Sequence, residues 1–488
     1  MDWISSHWLV LLFFLVFLGL TAHHAWVAKR RTRGLVDYYV GGRSMGGIAI
    51  GLSFFATYSS TNSFVGFSGQ AYTYGMAWLL LAPSAVLFSL IAWLGIAPRL
   101  RVFTASLNSV TIPDFIGFRF GSDRARFLAA LIVLLASLFY MTAVFKGIGN
   151  LLEAFLEIPY GVAIALVFVI VVVYTAVGGF ISVVRTDVIQ GILMFVAAGL
   201  LFNGTIRAAG GLVSLNLLRA QPETAGLFSW NAAMPFPFLI GIIVAGTMKF
   251  MVEPRQLSRF YALKDERATR RGMWVSTLAF LVVYSLLVPI GIYARNIFPT
   301  GMEDTDRIVP ALLTAGDIFS PVVAAFLLVA MVAAALSSLD SVLLVTASTC
   351  ERDMINVWRE NVSESASLRA TRIYVVLFAF ITALMALDPP GGIVTLTAFS
   401  GSLYAACFFP AIVLGLHWPR GNGRAVVASF VSGIGTLLLW EYLPFAAGIH
   451  QVFPALFLSS LTYIIVSICS PIHGAEEVQR LFETSPKG

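Results

Sequence analysis

The chain is built from long apolar stretches separated by short polar connections. About thirteen stretches approach the roughly 20 residues that a helix needs to cross a hydrocarbon core about 30 Å thick. They fall near residues 7–28, 47–71, 76–98, 125–152, 158–178, 182–208, 235–257, 272–296, 318–348, 368–386, 392–416, 425–440 and 452–470. This pattern predicts an all-α polytopic membrane protein. The second stretch carries an anomaly. Every residue from Thr57 to Ser63 (Thr-Tyr-Ser-Ser-Thr-Asn-Ser) has a side chain able to hydrogen-bond, inside an otherwise apolar span. Unpaired polar groups cost several kcal/mol in hydrocarbon, so such a run must line a cavity or touch other protein. Interrupted membrane helices of this kind hold substrate and ion in secondary transporters.

Composition agrees with the pattern. Of 488 residues, 58% are hydrophobic and 11% are charged, against about 25% charged in soluble domains. The basic residues are unevenly placed. Only Arg207, Arg219, Arg295 and Arg307 fall in one set of connections, and Lys146 and Lys249 fall within spans. The rest of the 31 Lys and Arg residues occupy the other set and the C-terminal tail. By the positive-inside rule the N-terminus is expected outside and the C-terminus in the cytoplasm of a cell with this protein in its plasma or inner membrane. The net charge of +6 then reports topology, not nucleic-acid binding, and the tract 29–33 reads as an anchor. The first span lacks a preceding basic region and is expected to be retained. Cys350, Cys407 and Cys469 are widely spaced and imply neither a disulfide framework nor a metal site. The outer connection 209–234 is expected to carry a short surface helix, and the acidic segment 301–306 to be solvated.

The ninth span contains Ala333-Ala334-Ala335-Leu336-Ser337-Ser338-Leu339-Asp340-Ser341. On a helix the Ala334 carbonyl lies one turn before the hydroxyls of Ser337 and Ser338. Those oxygens, with carbonyls freed near Ala56 and Ser59, approach the roughly six oxygens that a small hard cation requires. The alternative is that both serines bond back to carbonyls four residues earlier. Lys146 and Lys249 are costly inside a membrane and point to function by default. Glu253, four residues after Lys249, offers it a structural partner; Glu153 is too far along the helix to serve Lys146. A lysine left free in the cavity would complement a carboxylate. Asp187, beside Arg185, and Asp340 are candidates for an ion path or gate, with a helix cap or an ion pair as the structural reading.

Taken together these segments resemble the sodium/solute symporter family, which includes sodium/proline, sodium/pantothenate and sodium/galactose transporters. The resemblance rests on Asp37-Tyr38-Tyr39-Val40-Gly41-Gly42-Arg43-Ser44-Met45 and on Tyr174-Thr175-Ala176-Val177-Gly178-Gly179 followed by Arg185-Thr186-Asp187-Val188-Ile189-Gln190. It extends to Gln256-Leu257-Ser258-Arg259, to Ala334–Ser338 and to Gly415-Leu416-His417-Trp418. It implies one transporter unit with two inverted five-helix repeats, at 47–208 and 235–416. Residues 1–46 and the outer loop 209–234 would flank the first repeat, and two further helices and a tail would fill 417–488. It implies a sodium site from the carbonyls of Ala56, Ser59 and Ala334 and the hydroxyls of Ser337 and Ser338. It also places substrate between Ser60, Thr61, Asn62 and Ser63 on one side and a break at Gly246–Phe250 on the other. Thr247, Lys249 and Phe250 line that break, with Lys146 as a further candidate. Asn62 and Ser63 stand where sugar-binding relatives place a carboxylate and an amide, which disfavours a sugar.

The reading is a sodium-coupled symporter of a small organic solute, working by alternating access. A small carboxylate such as a monocarboxylate or pantothenate ranks first, then proline, then a sugar. Proton coupling on the same fold and a solute sensor without net transport are the alternatives. A channel would need a continuous polar pore, and an intramembrane enzyme would need a catalytic pair at matching depth; neither pattern is present. There is no phosphate-binding GxxxxGK[ST] loop. The bilayer, sodium and the solute are the expected partners.

Overall fold

In the computed structural model, residues 2–29, 34–231, 234–299, 301–358, 362–443, 446, 448–471 and 476–484 are described. Residues 30–33 of the basic tract lie outside them. Helices dominate, and the one β feature among the described residues is an isolated bridge between Met45 and Leu263.

A long first helix, α1 (Asp2–Lys29), is followed by the short α2 (Leu35–Val40). The first interrupted span then runs as α3 (Gly47–Tyr58), a π-helical turn over Asn62–Gly66 and α4 (Phe67–Tyr74). Next come α5 (Leu81–Ile91), α6 (Ala97–Ser106), α7 (Ile112–Phe120) and α8 (Asp123–Leu156). Helix α9 (Tyr160–Ala208) bends sharply at Gly179, whose φ of 63° and ψ of −177° suit glycine. At 1.5 Å per residue its 49 residues are too long for one crossing, so the bend separates two. The connection 209–234 folds in part into α10 (Ser214–Ala220) and α11 (Pro222–Ala225).

The second half again opens on an interrupted span: α12 (Phe236–Thr247), the single turn α13 (Lys249–Val252) and α14 (Pro254–Ala262). It continues through α15 (Glu266–Leu287), α16 (Ile290–Ile297), α17 (Ile308–Thr314) and α18 (Pro321–Thr349). The remaining helices are α19 (Glu364–Leu387), α20 (Ile393–Phe408), α21 (Gly415–His417), α22 (Gly423–Leu439), α23 (Val452–Cys469) and the terminal α24 (Glu476–Thr484). Eleven helices among the described residues are long and apolar enough to cross a membrane, and Gly47–Tyr58 and Tyr160–Val172 are shorter apolar helices. Against the expected thirteen, eleven helices among the described residues reach membrane-crossing length.

Both interrupted spans lie at the centre, where Phe54, Phe55, Ala56, Phe250, Phe260 and Phe280 are fully buried. Helices α3 and α15 touch through small residues: a Cβ on Gly47 would lie 2.1 Å from the Ala268 carbonyl, and one on Gly51 2.6 Å from that of Gly272. Large apolar side chains such as Leu15, Ile373 and Phe457 remain exposed on the rim, as a lipid-facing surface requires. The acidic segment keeps Glu303 exposed, as expected of a solvated loop, but its last residue departs: Asp306 is buried, accepts the amide of Ile393 at 3.0 Å at the start of α20 and pairs with Lys146 at 2.9 Å. The helix terminus and the ammonium both need a partner, and together they draw the loop inward.

Candidate functional site

Helix α3 stops because its backbone bonds are taken over by side chains. The last regular bond runs from the Ser59 amide to Phe55 at 3.0 Å, and Ser59 is extended with ψ of 121°. The Ser60 amide, which would bond Ala56 in a continuing helix, turns to the Ser63 hydroxyl at 3.4 Å. The Asn62 amide donates to the Ser60 hydroxyl at 3.2 Å. The freed Thr57 carbonyl accepts from Arg255 at 2.8 Å and from the Ser338 hydroxyl at 2.9 Å, and the Ser59 carbonyl accepts from Ser338 at 3.2 Å. The carbonyls freed at Thr57 and Ser59 are buried, and α14 and α18 supply their donors.

Ser337 faces elsewhere. Its hydroxyl donates to Asp187 at 2.6 Å, and Asp187 also accepts from Ser53 at 2.5 Å, Thr57 at 3.3 Å and Arg259 at 3.0 Å. Neither serine bonds back along its own helix; Ser341 does, to the Ser337 carbonyl at 2.9 Å, while accepting from Arg259 at 2.6 Å. Ser59 and Ser338 are therefore in direct contact, and Ser337 joins the cluster through Asp187. Ala56 and Ala334 are fully buried on α3 and α18. Asp187 lies inside α9, not at a helix start, and its partner is Arg259 where Arg185 was the expected neighbour. Beneath Arg259 a small cavity is lined by Tyr39, Thr111, Ser258, Tyr261 and Ser341. Asp340 accepts a short hydrogen bond from Thr175 on α9.

The second break has a different chemistry. Helix α12 ends at Thr247, α13 begins at Lys249, and Glu253 is extended with ψ of 125°. The Thr247 hydroxyl donates to Ile243 at 2.9 Å on its own helix. Phe250 stacks on Tyr58 with ring centroids 4.1 Å apart, and the Tyr58 hydroxyl donates to Gly246 at 2.9 Å. Glu253 pairs with Arg255 at 2.7 Å, not with Lys249. The Arg255 guanidinium lies 3.8 Å from the centroid of Tyr140, and the Lys249 ammonium 4.7 Å from the same ring. Lys249 is 2% exposed, and among the described residues no carboxylate lies within 4 Å of its nitrogen. On the α3 side Ser63 shares a hydrogen bond with Tyr284 at 2.9 Å. The Thr61 hydroxyl, packed against Gly147, and the Asn62 oxygen are buried without a hydrogen-bond partner among the described residues.

Lys146 is removed from this centre by its pair with Asp306 and by a contact to the Gly391 carbonyl at 3.4 Å. The residues that sequence reasoning passed over are Ser53, Tyr140, Arg255 and Tyr284, while Asp306 entered it only as part of a solvated segment. Only Arg255 left a local signal, as a charge within an apolar span beside Glu253.

Two interrupted helices crossing at a buried polar centre define a secondary transporter. The chain belongs to the sodium:solute symporter family, whose sequence model matches residues 38–433. It is a multi-pass membrane protein that couples sodium to the movement of a small solute, and not an enzyme. It is 29% identical to the sodium/pantothenate symporter of Haemophilus influenzae over 94% of this chain and 95% of that one. It is also 29% identical to an osmoregulated proline transporter of Bacillus subtilis, covering 95% of each. A sodium-coupled sialic acid symporter in a substrate-bound outward-open state shares the fold, with a TM-score of 0.81 and 20% identity over 95% of this chain and 98% of that one. The transporter Mhp1 in a closed conformation matches less closely, at a TM-score of 0.56 and 13% identity over 91% and 98%.

Proposed function

We infer that this chain imports a small carboxylate driven by sodium, and that Lys249 is the counter-charge for the carboxylate. The observation that carries the reading is the Lys249 ammonium at the second break, buried and without an ion-pair partner. Arg255 and Glu253 neutralise one another, so Lys249 is the residual positive charge of that break, and a monoanion would complete it. Pantothenate, proline and sialic acid, the solutes named for the relatives, all carry a carboxylate. Ser63 with Tyr284, Thr61 and Asn62 would supply hydrogen bonds to the rest of the solute. Sodium would occupy the region of the Ala56, Ser59 and Ala334 carbonyls and the Ser337 and Ser338 hydroxyls. With the N-terminus outside a plasma or inner membrane, Asp187 and the cavity below Arg259 would form the ion's exit.

The test is uptake of a panel of anionic, zwitterionic and neutral solutes into proteoliposomes with and without an inward sodium gradient. Sodium-dependent uptake of a monocarboxylate is expected, with KM raised about tenfold or more in Lys249→Gln. Sodium-driven uptake confined to neutral solutes, unchanged in Lys249→Gln, would overturn the assignment.

A further inference from the structure

The terminal helix α24 carries its apolar residues at Val478, Leu481 and Phe482, a stripe at helical spacing. Val478 and Leu481 are buried, and Phe482 reaches into the bundle. Its ring meets that of Phe103 on α6 edge-on at 5.2 Å and lies 4.9 Å from the Arg119 guanidinium on α7. Phe103 and Arg119 are both buried. Phe482 therefore sits on the seam between α6 and α7.

That seam divides two bodies. On one side α6 goes with α14. Trp93, just before α6, packs edge-on against Phe260 of α14 at 4.9 Å. Arg43, next to the bridge that joins Met45 to the end of α14, donates to the Thr104 hydroxyl of α6 at 3.3 Å. On the other side Arg119 fastens α7 to α21 and its cap, donating to the Gly415 carbonyl at 2.9 Å and to that of Trp418 at 3.0 Å. The cavity below Arg259 lies along the same parting line: Thr111 and Ile112 wall it at the start of α7, and Ser258 and Tyr261 wall it from α14. The Tyr261 hydroxyl closes it by donating to the Thr111 carbonyl at 3.3 Å. At about 20 Å³ it has room for about one water. A hydrated ion or a solute passes only if α6 and α14 part from α7.

We propose that α24 is a strap across this seam, which holds the cavity below Arg259 shut until Phe482 withdraws from between Phe103 and Arg119. The proposal rests on the reading of that cavity as the exit. The strap is built to be released. It has nine residues, and an isolated helix of that length is not stable in water. It therefore folds where it docks and is lost as a unit when it leaves. Its charge favours the arginine-rich end of the protein over the bilayer surface. It carries Glu476, Glu477 and Glu483 against one Arg480, whereas helices that lie on membranes carry mostly Lys and Arg on their polar face.

The experiment uses the full chain in nanodiscs, where both faces can be reached, and follows labelling by a soluble maleimide. The reporter is Ser348→Cys, at a buried position that lines the cavity, with the native cysteines replaced by serine. Labelling is expected to run several-fold faster when Phe482→Ala is added. Phe482→Trp, which keeps an aromatic ring on the seam, should return the rate close to the original. Cys407, fully buried in α20, is the control when kept as the sole cysteine: release of the strap should leave its rate unchanged. Faster labelling of Cys407 in Phe482→Ala would make α24 a general brace and overturn the proposal. Equal labelling at position 348 with and without Phe482→Ala, while sodium still alters that rate, would overturn the strap and leave the exit reading standing. A rate at position 348 indifferent to sodium in every protein would overturn both.

Discussion

Ser337 and Ser338 are neighbours in the chain that serve different partners: Ser338 holds the open end of α3, and Ser337 holds Asp187. Removing the Ser338 hydroxyl takes away a ligand candidate and the bond that fixes the break. Ser338→Ala is therefore expected to raise the sodium concentration for half-maximal uptake about tenfold, read from the sodium dependence of initial rates. Asp187 and Arg259 are both at most 1% exposed, so neither charge is screened by water. Asp187→Asn leaves Arg259 uncompensated and should destabilise by about 3 kcal/mol or more. The double variant with Arg259→Gln should lose less than the two single losses added together, in thermal unfolding of detergent-purified protein. The polar run at 57–63 and the paired serines were readable in the sequence because buried polarity in an apolar span always demands partners. Which partner each residue takes was not readable: Asp187 and Arg259 lie 72 positions apart, and no local rule connects them.

At the level of elements, the Lys249–Glu253 pairing shows why helical spacing misleads across a break. The two residues would meet on an unbroken helix, but Glu253 precedes Pro254, and a residue before proline is driven into extended backbone. Its side chain turns to Arg255 instead. Pro254 therefore ends the helical register on which a four-residue pairing depends. The seam between α3 and α15 is a second element-scale feature, with two glycines letting backbones approach as small residues do in membrane helices. Gly51→Val would drive a branched side chain into the Gly272 carbonyl and Val275. The expected outcome is a sharp fall in monodisperse protein on size exclusion, with Gly51→Ala less severe.

Across the whole molecule the arrangement is tied at both ends. Asp306 holds Lys146 and the start of α20 at one end, and Arg259 spans Asp187, Ser53 and Ser341 towards the other. Span positions and the alternating charge of the connections announced a bundle of crossings, yet the inward fold of the acidic loop was hidden, because Asp306 serves residues 160 and 87 positions away. Asp306→Asn should loosen the first tie. A thiol-reactive maleimide added from outside is expected to label a single cysteine introduced at position 60 several-fold faster in that variant, with the native cysteines replaced by serine. The bridge near Met45 has its own consequence. The Met45 amide donates to Ala262 at 2.9 Å, and the Lys264 amide donates to Met45 at 3.2 Å. Those two bonds stitch the approach to α3 onto the far end of α14, so neither arm can swing without tearing the stitch or dragging the other along.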